Sequence, residues 1–289
     1  QSWEGDGVTG SYPSYSWSNG KGDGGDDGML KSEKDGEIKF RIHTDEELST
    51  AEQEDLAETY SPVLKFHEDE SYYPRDIQEF MDDSDLKKKS WDIDPTIVNE
   101  PVSKSDLAEY TTDNYYLDWS GNEPDHEEYA IYSHVFTATD NKIVIQYWFF
   151  YLNNPPTHEG DWEMIQVVLN PDETPINTGY SQHYSGDGRT WAGTPKEDGH
   201  PKVYVEPGGH ASLYGAGSNH NKKLDDNNYS IKIISNQDWL NFRGKWGSSG
   251  EPGPSPEGPV FRNTGHWTSP TVPEAYMWIE PCYWQSVVG

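Results

Sequence analysis

The stretch THEGDWEMIQVVLN, residues 157–170, places one histidine and three carboxylates directly before an apolar run. Side chains alternate between the two faces of a strand, so Asp161 and Glu163 share a face with Ile165, while Trp162 lies on the other. Both faces are largely apolar, which predicts a strand buried on both sides. Two unpaired carboxylates at the end of such a strand are costly to bury and repel each other. A positive or proton-donating group is therefore expected between them, and a metal ion is the leading candidate.

Composition limits the classes of partner. Aromatic residues make up 13% of the 289 residues, while all hydrophobic residues reach only 32%. Large rings therefore supply most of the apolar mass, which favours β-rich structure and contact surfaces. The chain has 51 acidic against 21 basic residues and a formal net charge of -30. Such a charge repels phosphate backbones, so we expect no binding to nucleic acid.

The sequence also indicates a location outside the cell. It begins at Gln1 rather than at a methionine and continues into a Gly-, Ser- and Asp-rich stretch, as is typical after removal of a signal peptide. The lone Cys282 excludes a disulfide within the chain. The longest apolar run, residues 143–152, is about half of the ~20 residues that a spanning helix needs. We expect a secreted, extracellular protein with no integral membrane segment.

Local patterns predict mostly short elements. The segment 48–62 is typical of a helix, with Ser49 or Thr50 as its N-cap and Glu52 or Gln53 completing a capping box. A second helix is expected with a proline in its first turn, within YYPRDIQEFM at 72–81. Residues 82–127 are polar and are expected to form loops.

Sequence patterns in the C-terminal two thirds of the chain predict mainly strands. A hairpin is predicted around Asp140-Asn141, feeding directly into the acidic motif. Further strand-like segments are YSQHYSG, PKVYVEP and YSIKII, and a short helix is expected at NQDWLNF. Short strands, frequent turns and few helical patterns predict a mainly β protein, a single decorated β-sandwich with short peripheral helices and long loops. The expected division is a flexible arm at 1–35 and the sandwich at 36–289.

Several segments resemble a known family. YSPVLKFHEDESYYP, YWFFYLNN followed by HEGDWE, YSQHYSGDGRTW and HPKVYVEPGGHASLY occur in the order found in the vacuolar protein sorting-associated protein 62 family. The resemblance spans about residues 57–284. Through HEGDWE the chain is also distantly similar to the necrosis-inducing cytolysins, whose hallmark is GHRHDWE. That similarity implies a β-sandwich with a divalent cation that engages sugar headgroups of membrane sphingolipids.

The cytolysin resemblance also implies a ligand set. The hallmark's first His, its Asp and its Glu correspond to His158, Asp161 and Glu163. Glu159 stands where the hallmark has Arg and Gly160 where it has the second His, so the ligands are retained while the recognition surface differs. Oxygen ligands with one imidazole suit calcium, magnesium or manganese, with zinc as the alternative.

Two further histidines qualify as site residues. His183 lies in YSQHYSGDG and His210 in GGHAS, where glycines permit a tight turn or close approach to a ligand. Each is either a partner for buried polar groups or a general base or extra ligand beside the motif. Glu159 and Glu163 form a candidate acid-base pair for glycoside cleavage.

Three functions remain open. The first is cation-dependent binding of a glycan or polysaccharide. The second is a metal-dependent hydrolase or lyase in which Glu159, His183 or His210 moves the proton. The third is a structural subunit of an extracellular sheath, filament or surface layer. The sequence leaves the oligomeric state undetermined.

Overall fold

A computed structural model describes residues 48–89, 96–121, 128–138, 141–183, 185–215, 219–235, 237–248 and 255–261, together with Trp278 and the backbone of four short N-terminal strands. Those strands are β1 (Trp3–Glu4), β2 (Ser16–Trp17), β3 (Met29–Ser32) and β4 (Ile38–Arg41). They form two separate pairs, β1 with β2 and β3 with β4. Most of the predicted arm and Cys282 lie outside the described residues.

The largest sheet has six strands in the order β13-β12-β11-β10-β9-β18. Their bounds are β9 (Tyr129–Thr137), β10 (Ile143–Asn154), β11 (His158–Leu169), β12 (Pro175–Gln182), β13 (Ser185–Thr190) and β18 (Tyr229–Ile233). Neighbouring strands are antiparallel, except that β18 runs parallel to β9. The predicted hairpin before the acidic motif is confirmed as β9 and β10.

A smaller sheet has the order β14-β15-β5-β17, with β16 pairing to β15. Its strands are β5 (Val63–Phe66), β14 (Lys196–Glu197), β15 (His200–Val205), β16 (Ser212–Leu213) and β17 (Lys222–Leu224). Buried side chains of both sheets form one cluster, with Leu64 and Val203 from the small sheet against Ile145, Tyr147 and Ile165 from the large one. The prediction of a mainly β sandwich is therefore confirmed.

Peripheral elements cover the other face of the large sheet. They are α2 (Ile77–Asp82), α3 (Lys104–Glu109), a sheet of β6 (Ser84–Lys88), β7 (Thr96–Val98) and β8 (Tyr115–Trp119), and 3-10 turns at Asp238–Asn241 and Pro259–Phe261. Trp162 and Met164 of β11 pack here with Trp246. The expectation that β11 is buried on both faces is thus correct. The prediction of loops at 82–127 was wrong, because β6, β7, β8 and α3 lie there.

The helices lie at the surface of the sandwich, and their caps explain their bounds. The first helix, α1 (Thr50–Thr59), begins at Ser49, whose side chain and that of Glu52 form the predicted capping box. The second helix begins later than predicted, at Ile77, because Asp76 is its N-cap and accepts the backbone N–H of Gln78. Pro74 therefore precedes the helix. No helix within the described ranges is long and apolar enough to span a membrane.

One strand prediction was wrong in a way that matters for the site. The segment YSQHYSG does not form a single strand, because β12 ends at Gln182 and β13 begins at Ser185. His183 lies in the intervening turn with a φ of +57°, in the left-handed region. The turn places its side chain at the rim of the sandwich instead of in a strand.

Candidate functional site

The acidic motif reaches the interior of the sandwich through the pairing of β10 with β11. Asp161 lies opposite Tyr151, and Glu163 lies opposite Phe149. Both of these β10 aromatics belong to the cluster between the two sheets. Asp161 is 1% exposed and Glu163 is 0% exposed. The prediction that the two carboxylates share one buried face is confirmed.

Asp161 is held by three donors. Its Oδ1 accepts the backbone N–H of Trp162 at 2.9 Å. Its Oδ2 lies 3.2 Å from the side-chain amide nitrogen of Asn154 and 3.1 Å from Nδ1 of His210. The carboxylate is therefore fixed by its own strand, by the end of β10 and by an imidazole from the other sheet.

Glu163 connects the buried strand to the surface. Its Oε1 accepts the backbone N–H of His183 at 2.9 Å and lies 3.3 Å from Nδ1 of the same histidine. Its Oε2 accepts the hydroxyl proton of Ser181. The His183 side chain is 47% exposed, whereas that of Glu163 is fully buried. An imidazole at the rim is thus directly connected to a carboxylate inside.

His210 occupies the centre of the cluster. It lies in the turn between β15 and β16, where its backbone N–H donates to the carbonyl of Glu206 at 2.9 Å. The residue is 0% exposed, and its ring stacks on Tyr151 with centroids 3.9 Å apart. The second ring nitrogen, Nε2, lies 3.7 Å from Oε1 of Glu70, which is an ion-pair distance but too long for a hydrogen bond.

Glu70 is a site residue that the sequence reasoning missed. Its Oε1 accepts the backbone N–H groups of Ser71 and Tyr72, each at 2.8 Å. Its Oε2 accepts the N–H of Gly208 at 2.8 Å, across 138 residues of chain. The side chain is 2% exposed. Glu70 therefore joins the loop after β5 to the turn that carries His210.

The charges of the cluster are strongly coupled. Burial lowers the pKa of His210, but hydrogen bonding to Asp161 and the charge of Glu70 outweigh it and raise the pKa to about 9. Burial raises the pKa of Glu70, and the contact with His210 overcomes this and holds it below its usual range. Burial, with the nearby charges of Glu70, Asp161 and Glu163, raises the pKa of the Tyr151 phenol far above normal. The Tyr151 hydroxyl has no hydrogen-bond partner among the described residues.

His158 lies next to this cluster in sequence but makes local contacts. Its Nδ1 lies 2.8 Å from the carbonyl oxygen of Gly160 and 3.2 Å from that of Glu159. Because a carbonyl oxygen only accepts, Nδ1 carries the ring proton and Nε2 presents a lone pair. This is the tautomer that a metal-binding histidine uses when it coordinates through Nε2.

Glu159 is not brought together with the other predicted residues. Its Oε2 accepts the backbone N–H groups of Trp119 at 3.1 Å and Ser248 at 3.0 Å, on the side of the β6-β7-β8 sheet. Gly160 follows with a φ of +58°, which interrupts the alternation of the strand. The carboxylates of Glu159 and Glu163 consequently reach different sides of the large sheet.

The structure therefore gathers Asp161, Glu163, His183 and His210 and adds Glu70. Within the residues that can be described, no three or more His, Cys, Asp and Glu side chains are already grouped so as to hold a metal ion. The metal site at His158, Asp161 and Glu163 stays a prediction.

Comparisons with known proteins find similar chains among the solved structures. No protein-family model and no curated protein matches this chain. Similar solved structures include "NLPPya in complex with mannosamine", with 16% identity, a TM-score of 0.39 and coverage of 65% of this chain and 78% of that one. The same protein in complex with glucosamine has a TM-score of 0.38.

Another similar structure is "Necrosis and Ethylene inducing Protein 2 from the causal agent of cocoa's Witches Broom disease", with 16% identity, a TM-score of 0.36 and coverage of 70% of this chain and 84% of that one. The resemblance to the vacuolar protein sorting-associated protein 62 family gains no support from these comparisons.

Proposed function

We propose that this chain is an extracellular protein that binds a sugar through a divalent cation held at the N-terminal end of β11. The observation that carries the proposal is the burial of Asp161 and Glu163 side by side on one face, with Glu70 approaching from the other sheet. Buried carboxylates are normally paired with cationic groups or metal ions.

Among the described residues of this cluster, the buried carboxylates outnumber the buried imidazole. Three carboxylates surround the cluster, and one buried imidazole, His210, lies between two of them. The charges of all three carboxylates act on the fully buried hydroxyl of Tyr151 and help to raise its pKa. This hydroxyl has no hydrogen-bond partner among the described residues. A divalent cation would add positive charge beside these carboxylates.

The donor set suits a hard cation. Asp161 and Glu163 provide carboxylate oxygens, and His158 presents the lone pair of Nε2 because its Nδ1 donates to backbone carbonyls. Oxygen ligands dominate calcium, magnesium and manganese sites. Cation binding would replace some of the hydrogen bonds that the carboxylates now accept, notably that from the backbone of His183 to Glu163.

The rim around the cluster offers polar groups to a sugar. His183 is half exposed, and Gly209 packs against its ring: an added Cβ would lie 3.4 Å from Cε1 of His183 and 3.4 Å from Oε2 of Glu206. Nearby on β10, the Asn153 side-chain amide donates to the hydroxyl of Tyr72 at 3.2 Å. An open cation position bordered by amide, hydroxyl and imidazole groups suits vicinal hydroxyls of a glycan.

Sugar binding with and without a cation tests the proposal. The panel should include glucosamine, mannosamine, their neutral parent sugars and polysaccharides, each titrated into protein in calcium or in a chelator. We expect binding in calcium that is lost in chelator and in Glu163→Gln, and kept in Glu197→Gln, which alters a partly exposed carboxylate of the small sheet, outside the site. No binding to any sugar, or binding that is equal in chelator, would contradict the proposal.

A second candidate function rests on His183. Its imidazole is accessible from solvent and lies 3.3 Å from the buried Glu163 carboxylate, an arrangement that suits a general base. This favours a metal-dependent hydrolase or lyase as the alternative. Release of product from a polymer panel, abolished by His183→Gln while sugar binding persists, would establish turnover. Binding without product release would leave the sugar-binding function alone.

A further inference from the structure

We propose that His67 and His220 form a second metal site, at the edge of the small sheet, which binds a transition-metal ion such as Zn²⁺, Ni²⁺ or Cu²⁺. The two histidines lie outside the cluster around Asp161.

Strand pairing brings the two residues together. Phe66 ends β5 and pairs with Lys222, which begins β17. His67 follows the first strand and His220 precedes the second, so the two imidazoles extend from the same end of the pair. The backbone N–H of Glu68 donates to the carbonyl of Asn219 at 2.9 Å and closes this end. The ring centroids of the two histidines are 5.6 Å apart, with an interplanar angle of 82°.

His220 has a ring nitrogen ready for a metal. Its Nε2 lies 3.2 Å from the carbonyl oxygen of Val205, which only accepts, so Nε2 carries the proton. Nδ1 is then a lone-pair donor, and it is buried without a hydrogen-bond partner in the described part of the chain. Tyr204 packs edge-on against the ring, with centroids 5.5 Å apart, and limits its rotation. A carbonyl on one nitrogen and a free lone pair on the other is the usual arrangement of a histidine metal ligand.

His67 completes the pair. Its Nδ1 accepts the backbone N–H of Asp69 at 3.2 Å and lies 3.4 Å from the carboxylate Oδ2 of the same residue. Because Nδ1 accepts this hydrogen bond, Nε2 carries the ring proton in the metal-free protein. Binding of a metal through Nε2 would move that proton to Nδ1, where the Asp69 carboxylate can accept it and orient the ring, as in carboxylate–histidine–metal arrangements. The side chain is 20% exposed, so an ion from solvent can reach it.

The separation of the rings fits a shared ion. A metal lies about 2.0–2.1 Å from an imidazole nitrogen, and hence about 3.2 Å from the ring centre. Two such rings at a roughly tetrahedral angle have centres about 5.3 Å apart. The separation of 5.6 Å between the ring centres of His67 and His220 differs from this by a few tenths of an ångström, so the rings are close enough to share an ion once their ligating nitrogens face it.

The donor type decides the class of metal. Imidazole nitrogens select zinc, nickel and copper over calcium and magnesium. The nearby carboxylates of Glu68 and Asp69, and the formal net charge of -30, attract cations to this edge. With two protein nitrogens, water or Asp69 would complete the coordination, and the ion would join β17 to β5.

Copper spectroscopy and zinc titration test the site in the full-length chain. Both use an Asp161→Asn, Glu163→Gln background, so that the first proposed site does not contribute. We expect copper electron paramagnetic resonance to show two imidazole nitrogens, and one in His67→Gln or His220→Gln. Zinc affinity should fall about tenfold or more in each variant, because each removes one of two protein ligands.

His200→Gln is the matched control, because His200 is another partly buried histidine of the small sheet whose Nδ1 contacts a backbone carbonyl. Zinc and copper binding that is unchanged in His67→Gln and His220→Gln, or reduced equally in His200→Gln, would overturn the proposal. So would zinc binding weaker than about 1 mM in the parent protein. Circular dichroism checks folding, and if His220→Gln does not fold, the partly exposed His67→Gln decides.

Discussion

Nδ1 of His210 lies 3.1 Å from Oδ2 of Asp161, although 49 positions separate the two residues in sequence. The contact joins the β15–β16 turn to β11, and therefore the two layers of the sandwich. Glu70 approaches the other nitrogen of the same ring. The cluster consequently has two roles, since it connects the sheets and forms the floor of the candidate site.

Removing the buried imidazole should destabilise the fold. We expect His210→Ala to lower the free energy of unfolding by about 3–5 kcal/mol, because Asp161 and Glu70 lose a buried cationic partner. Lys223→Ala is the comparison, since its ammonium contacts Glu197 and Asp225 at the surface and should contribute at most ~1 kcal/mol. Urea unfolding of both variants checks this. Equal losses would show that the buried contact has no special importance.

Gly160 should tolerate no side chain. At this position an added Cβ would lie 2.2 Å from the carbonyl oxygen of Trp246, and φ is +58°. Gly199 also has a positive φ, of +96°, but nothing lies within 4 Å of the added atom. Gly199→Ala should therefore cost about 1–2 kcal/mol from backbone strain alone. Gly160→Ala should cost at least ~2 kcal/mol more in thermal or urea unfolding, because the backbone must also move.

His134 should make stability depend on pH below neutrality. Burial among Gln146, Phe136 and Trp278 lowers its pKa from 6.5 to about 3. Between these values the unfolded chain binds a proton that the folded chain does not, so stability falls as the pH falls from 6.5 towards 3. The slope is about 1.4 kcal/mol per pH unit, which gives a loss of about 2 kcal/mol at pH 5.

His134→Gln, which can still contact Gln146, should not show this loss of stability at low pH. The test compares urea unfolding of the parent and the variant at pH 7.5 and pH 5. The difference between their stabilities should change by about 2 kcal/mol over this interval. A difference that is independent of pH would contradict the assignment of a buried, neutral imidazole.

Cation binding should be visible at His183. Its backbone N–H donates to Oε1 of Glu163 at 2.9 Å, so coordination of that carboxylate changes the hydrogen bond. We expect the His183 amide signal to shift in ¹H–¹⁵N spectra when the diamagnetic ion calcium or magnesium is added. The amide of Lys202, which donates to Pro195 in the small sheet, should not shift. Binding of a cation that leaves the His183 amide unmoved would place the ion elsewhere.

The sequence was most informative where local rules determine structure. Alternation along β11 predicted that Asp161 and Glu163 share a face, because side-chain direction in a strand has a period of two residues. Capping chemistry likewise predicted the start of α1 at Ser49. The same rule was missed at α3, where Ser103 and Asp106 also form a capping box within a segment taken as loop.

Contacts between residues far apart in sequence could not be predicted from local patterns. Glu70 follows Glu68 and Asp69, and nothing local separates the buried acid from its exposed neighbours. Its burial results from the parallel pairing of β5 with β15, which brings Gly208 to its carboxylate. The sequence also could not show which side of the large sheet Glu159 reaches. That side depends on the backbone conformation of Gly160 and on the contact of Glu159 with Trp119.

Calorimetric titration of calcium, magnesium, manganese and zinc into chelator-stripped protein tests the central claim most directly. The parent protein should bind one calcium, magnesium or manganese ion in a saturable manner, and the Asp161→Asn, Glu163→Gln double variant should lose that binding. Glu197→Gln, at a partly exposed carboxylate of the small sheet, should retain it. Identical calcium, magnesium and manganese titrations for the parent and the double variant, or no binding of these three ions by the parent, would contradict a cation site at the end of β11.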